Sequence, residues 1–434
     1  MNSQAETERV AQDLLAQHNL QLVSCRNLQS LWAGYGHICH ILAKSTRPAT
    51  GSDSNSDNDS DETQVTPLIL KYIAPPGASP NARPDEGHIR KLLSYQVELA
   101  FYTHLAPQLP SDVAVAKCLA SLHSGHRSAK NQAQPDPQAH EAAEFKTAML
   151  LEDLRVAFPV AGEKRAVLSE SQVYGALAWL AGFHGHWWRS VEETLDRSKL
   201  VRPPLEHLAQ HDDAFFPAAA GEDKQAARVW LNGGYTYLDT RRTEYDNLCE
   251  ESSAWTEILC QPVQGGDSNK SLAELVALAL APTDGSSGSG AAGDGIGRYQ
   301  TLIHGDVKSE NLFTDQTGAQ VAFFDFQYVG LGLGVCDLAK LFTCSVPRAM
   351  LRTKDGEQTL LRFYLDRLQK VAGKQYGWQV FVRHWETALV DWLRFQASWG
   401  FWGNTAWLEG RVRSITADRE WIAWLLAETS RCGR

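Results

Sequence analysis

Four side chains in the middle of the chain have the types and spacing that metal-assisted phosphoryl transfer needs. They lie in LIHGDVKSENLFTDQTGAQVAFFDFQ, residues 302–327. An apolar run leads into His304-Gly305-Asp306, Asn311 follows five residues after the aspartate, and a second apolar run ends in Asp325-Phe326-Gln327. Phosphoryl transfer asks a protein for positioning and charge neutralisation more than for covalent chemistry. Asp306 would accept, or orient, the proton of an attacking hydroxyl. Asn311 offers a neutral oxygen and Asp325 an anionic one, hard ligands of the kind Mg²⁺ takes while keeping most of its waters. Lys308 would touch the transferring phosphate or else face solvent. The two apolar runs are expected to pair as a hairpin that gathers Asp306, Asn311 and Asp325 at one end. The plain alternative is a polar turn, since Asp and Asn are ordinary turn residues. Three coincident signals argue against it: H-x-D, Asn at plus five, and an apolar strand closing in D-F.

That layout is the one found in the catalytic loop of protein kinases, H-R-D-x-x-x-x-N followed by D-F-G. The template also needs a strand lysine on the nucleotide phosphates and a helix glutamate that holds it. Lys71 stands inside the apolar run PLILKYI, where an unpaired charge is costly. Glu98 sits mid-helix in SYQVELAFY, in the next expected element. An edge lysine and a solvated glutamate are the alternatives. The turn Ala33-Gly34-Tyr35-Gly36 would cover phosphates with its backbone N–H groups, or be a simple hairpin turn. Glu152-Asp153 falls where two lobes would join and adenine would lie. Asp153 is alternatively a helix N-cap.

The elements that must position these groups follow from periodicity. Residues 22–43 read as two strands around a glycine turn, 67–73 and 145–151 as single strands, and 87–104 as a helix with apolar residues three and four apart. Residues 169–188 form a further helix behind a Ser-rich start signal. Short strands are expected at 301–303 and 321–324. Three polar stretches, 45–63, 123–144 and 265–297, read as insertions, with a short helix at 272–280 inside the third. What remains is α+β and two-lobed: a strand-rich N-lobe over 1–151 and a mainly helical C-lobe over 152–434.

Bulk properties bound the function. The 434 residues carry a formal charge of −10 and are 43% apolar. A globular protein follows, and a general nucleic-acid binder is disfavoured. No stretch is long and apolar enough to span a bilayer. Eight cysteines show no C-x-x-C pair, so neither a zinc site nor a disulfide framework is suggested. The expected setting is the cytoplasm. Oligomeric state is not legible.

HGDVKSEN, DFQ, LLEDL (150–154), YQVELAFY (95–102), GALAWLAGFHGHWW (175–188) and CDLAKLF (336–342) resemble the aminoglycoside phosphotransferase and choline kinase superfamily. Within it they look most like the ecdysteroid-kinase-like branch. The resemblance covers most of the chain outside the insertions. It implies a protein-kinase-like fold and ATP with Mg²⁺ as cofactors. By position it implies Asp306 as catalytic base, Asn311 and Asp325 as metal ligands, and Lys71 on phosphate with Glu98 anchoring it. Asp337 would brace the catalytic loop from below, or be a helix N-cap. Glycine replaces arginine at 305 and Gln327 replaces the last glycine of D-F-G. Only residues 328–336 separate Gln327 from Asp337 and no A-P-E follows. That leaves little room for a peptide platform and disfavours a protein kinase. The expected acceptor is a small hydroxylated molecule; a pseudokinase is the alternative. Trp378, Trp385, Trp392 and Trp399 recur every seven residues, as a core seam or an aromatic pocket wall. Asp391 and Arg394 are placed to pair, and His184-x-His186 lacks an evident third metal ligand.

Overall fold

A computed structural model describes residues 3–46, 65–75, 85–123, 146–210, 228–264, 269–282 and 296–431. The expected insertions fall largely outside these residues. The described residues up to 75, with 116–123 and 146–154, form one compact unit. Residues 85–115, 155–210 and those from 228 onward form another.

The first unit is a helix on a sheet. Helix α1 spans Ser3–Ala16. The strands are β1 (Leu20–Ser30), β2 (Gly36–Ser45), β3 (Val65–Ile73), β4 (Cys118–His123) and β5 (Thr147–Glu152), antiparallel in the order β1-β2-β3-β5-β4. Side chains alternate across a strand. Leu68, Leu70 and Tyr72 of β3 therefore join Cys39, Ile41 and Ala43 of β2 in a core closed by Val10, Ala11, Leu14 and Leu15 of α1. Lys71 belongs to the opposite face. α1 and β4 carried no clear sequence signal, and their place is set by what they cover.

The second unit holds α2 (Glu86–Ala100), β6 (Val160–Ala161), α3 (Glu170–Thr194), α4 (Pro204–Gln210), α5 (Arg242–Glu250), α6 (Ala254–Leu259) and α7 (Leu272–Leu280). β7 (Thr301–Ile303), β8 (Leu312–Thr314), β9 (Val321–Phe323) and β10 (Gly330–Gly332) follow. Then come α8 (Gly334–Cys344), α9 (Arg348–Arg352), α10 (Gly356–Ala372), α11 (Trp378–Trp399), α12 (Thr405–Ala417) and α13 (Arg419–Arg431). Asp85 caps α2 through His88 N–H at 2.6 Å. Ser169 caps α3 in a reciprocal box with Gln172, which satisfies donors the first turn leaves open. Among the described residues no helix is long and apolar enough to cross a membrane.

Sequence analysis divided the chain at 151/152, whereas α2 groups with the larger unit. The reason is specific contact. Phe101, after the last turn of α2, stacks on Phe326 with centroids 3.9 Å apart. Arg90 donates to Thr240 O at 2.9 Å and to Glu244 at 3.2 Å.

A second difference concerns strand pairing. β7 and β9 do not pair with each other. β7 pairs with β10, and β9 pairs with β8. The expected hairpin is therefore shorter and lies between Asn311 and Phe324. β10 occupies the stretch between Gln327 and Asp337, where a protein kinase would place its activation segment.

Candidate active site

The candidate catalytic loop, residues 304–311, is built around a backbone that only glycine allows. Gly305 has φ +82°, and a Cβ there would stand 2.3 Å from Tyr328 O and 2.8 Å from Gly234 N. A side chain would have to displace main chain, which accounts for glycine where protein kinases carry arginine. Asp337 holds the loop from below. Its Oδ2 accepts from His304 N–H at 2.7 Å, and its Oδ1 accepts from Gly305 N–H at 2.9 Å. Asp337 is not the cap of α8, whose N-cap is Leu333. His184 lies 3.1 Å from Asp337 through Nε2 and 2.8 Å from Tyr364 Oη through Nδ1. A carboxylate only accepts, so Nε2 carries the proton and Nδ1 receives the tyrosine hydroxyl. His184 is thus spent on this buried chain, while His186 packs against Trp187. Among the described residues no group of three or more His, Cys, Asp or Glu converges for a metal.

Asp306 is nearly buried, at 6% exposure. Asn311 Nδ2 donates to its Oδ2 and to its backbone oxygen, each at 2.9 Å. Both partners are acceptors, so the amide oxygen of Asn311 points elsewhere. Lys308 Nζ stands 3.1 Å from Asp306 Oδ2 and 3.7 Å from Glu310. Lys340 of α8 pairs with Asp306 Oδ1. Burial disfavours the charge on Asp306, but the Lys340 and Lys308 ammonium groups outweigh it and hold the carboxyl well below the usual range. Burial likewise opposes the charge on Lys308, and Asp306 and Glu310 reverse this and raise its pKa.

Asp325 adopts the left-handed region, φ +66°, a costly conformation for a residue with a Cβ. Phe326 next to it is fully buried. Beyond Phe101, it meets Tyr102 edge-on at 5.6 Å and His304 at 4.5 Å. Gln327 receives Ser94 Oγ at 3.3 Å on its side chain and Trp230 Nε1 at 2.8 Å on its backbone oxygen. Replacing the D-F-G glycine thus goes with an anchored segment. Phe324 N–H donates to Asn311 O, and His304 Nε2 reaches Phe324 O, both at 3.0 Å. These links, rather than a β7–β9 ladder, bring 304–311 and 324–327 together.

In the other unit, Lys71 is 6% exposed on the middle strand, paired in register with Ile38 and Met149. That removes the edge-lysine alternative. Glu98 is 2% exposed on α2, which removes the solvated-face one. Gly34 (φ +74°) and Gly36 (φ +146°) form the turn after β1. A Cβ on Gly36 would lie 2.0 Å from Tyr72 O, so glycine is required for the strands to approach. Gly34 N–H is already donated to Leu31 O at 3.2 Å, so in this conformation it is not offered to phosphate as expected. Glu152 N–H donates to Lys117 O at 2.9 Å, and its side chain pairs with Lys117. Asp153 pairs with His40 at 3.5 Å.

Beside Asp306 lies a cleft of about 260 Å³. Its aromatic wall is Tyr235, Trp399, Phe401 and Trp402. The tryptophan stripe of α11 therefore divides. Trp385 and Trp392 are core at 1% and 2% exposure, and Trp399 is half exposed on the cleft. Asp391 and Arg394 pair at 2.7 Å. Sequence reasoning missed Lys340, although a lone lysine in the apolar run VCDLAKLF is the same signal that singled out Lys71.

Residues 292–376 match the model of the ecdysteroid kinase-like family, the segment that carries HGDVKSEN, DFQ and CDLAKLF, three of the six motifs of the resemblance. Among solved structures, a macrolide 2′-phosphotransferase from Brachybacterium faecium aligns at 13% identity and TM-score 0.37, covering 95% of this chain and 99% of that one. An ethanolamine kinase from Plasmodium vivax aligns at 12% identity and TM-score 0.37, covering 95% and 86%. A choline kinase from Streptococcus pneumoniae aligns at 12% identity and TM-score 0.35, covering 97% and 99%. No curated protein sequence matches the chain.

Proposed function

We propose that the protein is an O-phosphotransferase that moves the γ-phosphate of MgATP to a hydroxyl of a small molecule. The observation that carries this reading is Asp306. It is an ionised carboxylate held by Asn311 and Lys340, and it lines an open cleft. Both carboxylate oxygens are engaged in this structure. Lys340 is buried and fixed, whereas the Lys308 side chain is 26% exposed, so Lys308 is the partner that moves. An acceptor hydroxyl takes its place on Oδ2, and Lys308 turns to the transferring phosphoryl group. The acceptor oxygen bonds to the γ-phosphorus as the bond to the β–γ bridging oxygen breaks. ADP keeps that electron pair, and the hydroxyl proton passes to Asp306. Mg²⁺, when bound, neutralises charge on the phosphates. Asn311 through its amide oxygen and Asp325 through its carboxylate would hold it, hard oxygen donors of the kind it takes alongside water and phosphate. By motif position Lys71 is assigned to the phosphates, Glu98 to holding that lysine, and Glu152-Asp153 to the adenine end. The family match over 292–376 supports the same reading.

A second reading, a nucleotide-binding module without turnover, draws on the double lysine clamp, since Lys308 must leave before a hydroxyl enters. One experiment separates them. MgATP raises the melting temperature only with Mg²⁺ present, and an acceptor panel then shows ADP release above background. Asp325→Ala removes the Mg²⁺-dependent part of the shift. A shift of unchanged size in Asp325→Ala would remove Asp325 from the metal site, and a shift without turnover would favour the module.

Lys340 has its own signature. Because the Asp306 pKa is depressed, its charge contributes stability above the ordinary carboxyl range, which is lost only as pH falls through the depressed value, below about pH 4. Activity that needs this carboxylate is therefore insensitive to acid down to that range. In Lys340→Met, only Lys308 remains to oppose burial, and the acid limb of kcat/KM moves up by about one pH unit or more. A pH–rate profile with an unmoved limb would show that Lys340 does not set the charge of Asp306.

A further inference from the structure

We infer that the acceptor is an aromatic or ring-shaped alcohol that also carries an anionic group, held by Lys164 and Arg165; this rests on the phosphotransferase reading. The cleft beside Asp306 is lined by four cationic side chains, Lys164, Arg165, Lys308 and Lys340, against two carboxylates, Asp306 and Glu310. Lys340 is matched by Asp306, and Lys308 by Asp306 and Glu310. Among the described residues no carboxylate is paired with the side chains of Lys164 and Arg165, so the cleft keeps a net positive edge. That edge repels a polycation or a quaternary ammonium and attracts a carboxylate, sulfate or phosphate.

The edge is built, not incidental. Arg165 holds a left-handed φ of +59°, which costs on the order of 1 kcal/mol or more for a residue with a side chain. Its N–H donates to Glu310 Oε2 at 3.2 Å. Ser309 Oγ donates to Glu163 O at 2.9 Å, and Gly162 N–H donates to Leu312 O at 3.0 Å. The turn bearing the two cations is thus tied on both sides to the catalytic loop. In the same cleft, Trp399 and Phe401 keep 50% and 44% of their surface exposed, two neighbouring aromatic faces open to contact. A flat ring against these faces, its anionic group on Lys164 and Arg165, would leave a hydroxyl directed to Asp306.

The test uses the full chain with Mg²⁺ and a non-hydrolysable ATP analogue. Binding of para-(hydroxymethyl)benzoate, its neutral carboxamide and its aminomethyl analogue is followed by tryptophan fluorescence. The carboxylate binds at least about tenfold more tightly than the amide, and the amine most weakly. The double variant Lys164→Glu with Arg165→Glu abolishes or inverts that order. Equal or tighter binding of the amide or the amine overturns the inference, as does no binding of any of the three at several millimolar. The Mg²⁺-dependent nucleotide shift, measured on the same protein without acceptor, is read separately. Its absence sinks the phosphotransferase reading, while its presence with the wrong ligand order sinks only this inference.

Discussion

On the proposed function, Asp306→Asn is expected to transfer phosphate about 10²- to 10⁴-fold more slowly than the native protein and still to bind MgATP. The isosteric amide keeps an oxygen for one neighbour but offers a neutral, weakly basic edge to the hydroxyl. It also leaves the buried Lys340 without its counter-charge. Removing one partner of a buried pair costs about 3–5 kcal/mol, so the variant also melts earlier. Single-turnover kinetics at a temperature where both proteins are folded, together with the Mg²⁺-dependent shift, separate the two effects. Turnover at the native rate would remove Asp306 from the chemistry. Loss of nucleotide binding together with turnover would instead mark Asp306 as part of the nucleotide site.

Asp337→Ala is expected to be nearly as damaging, through structure. The carboxylate takes two backbone N–H groups of the catalytic loop and the imidazole of His184, all buried. Each orphaned donor costs about 1–3 kcal/mol, so the sum is about 3–5 kcal/mol once the site relaxes. Denaturant unfolding reads the stability. Should the alanine variant not fold, Asp337→Asn keeps the shape, retains one acceptor and loses part of the same free energy. In that variant kcat falls more than KM rises, because the loop that places Asp306 is loosened. A stability change within about 0.5 kcal/mol and an unchanged kcat would show that the brace is dispensable.

Much of this site is local in sequence, and that part was legible. Asp306, Asn311 and Asp325 sit within one segment of fixed spacing. The strand carrying Lys71, the helices that became α3 and α7, and the pairing of Asp391 with Arg394 all follow from periodicity and short-range geometry. Two kinds of feature were not. Strand partners were misread because an apolar run of three residues shows that a strand exists but not which neighbour completes its hydrogen bonds. Burial of α11 was undecided because a seven-residue repeat places tryptophans on one face without saying where that face leaves the core.

By itself, then, the sequence determined the candidate residues of the proposed chemistry: a carboxylate, an amide and a second carboxylate at kinase spacing, with a lysine in a strand and a glutamate in a helix. It showed that glycine follows His304, but the positive φ and close backbone that require it came from the structure. Tertiary structure alone decided that Lys340, 34 residues away, ion-pairs with Asp306, and that β10 rather than β9 completes β7. It also decided that Trp399 faces a cleft while Trp385 does not, and that Lys164 and Arg165 edge that cleft. The physical reason is the same in each case. Periodicity and turn chemistry act over a few residues, whereas a pKa, a burial or a pocket's charge depends on groups that only long-range packing brings within a few ångströms.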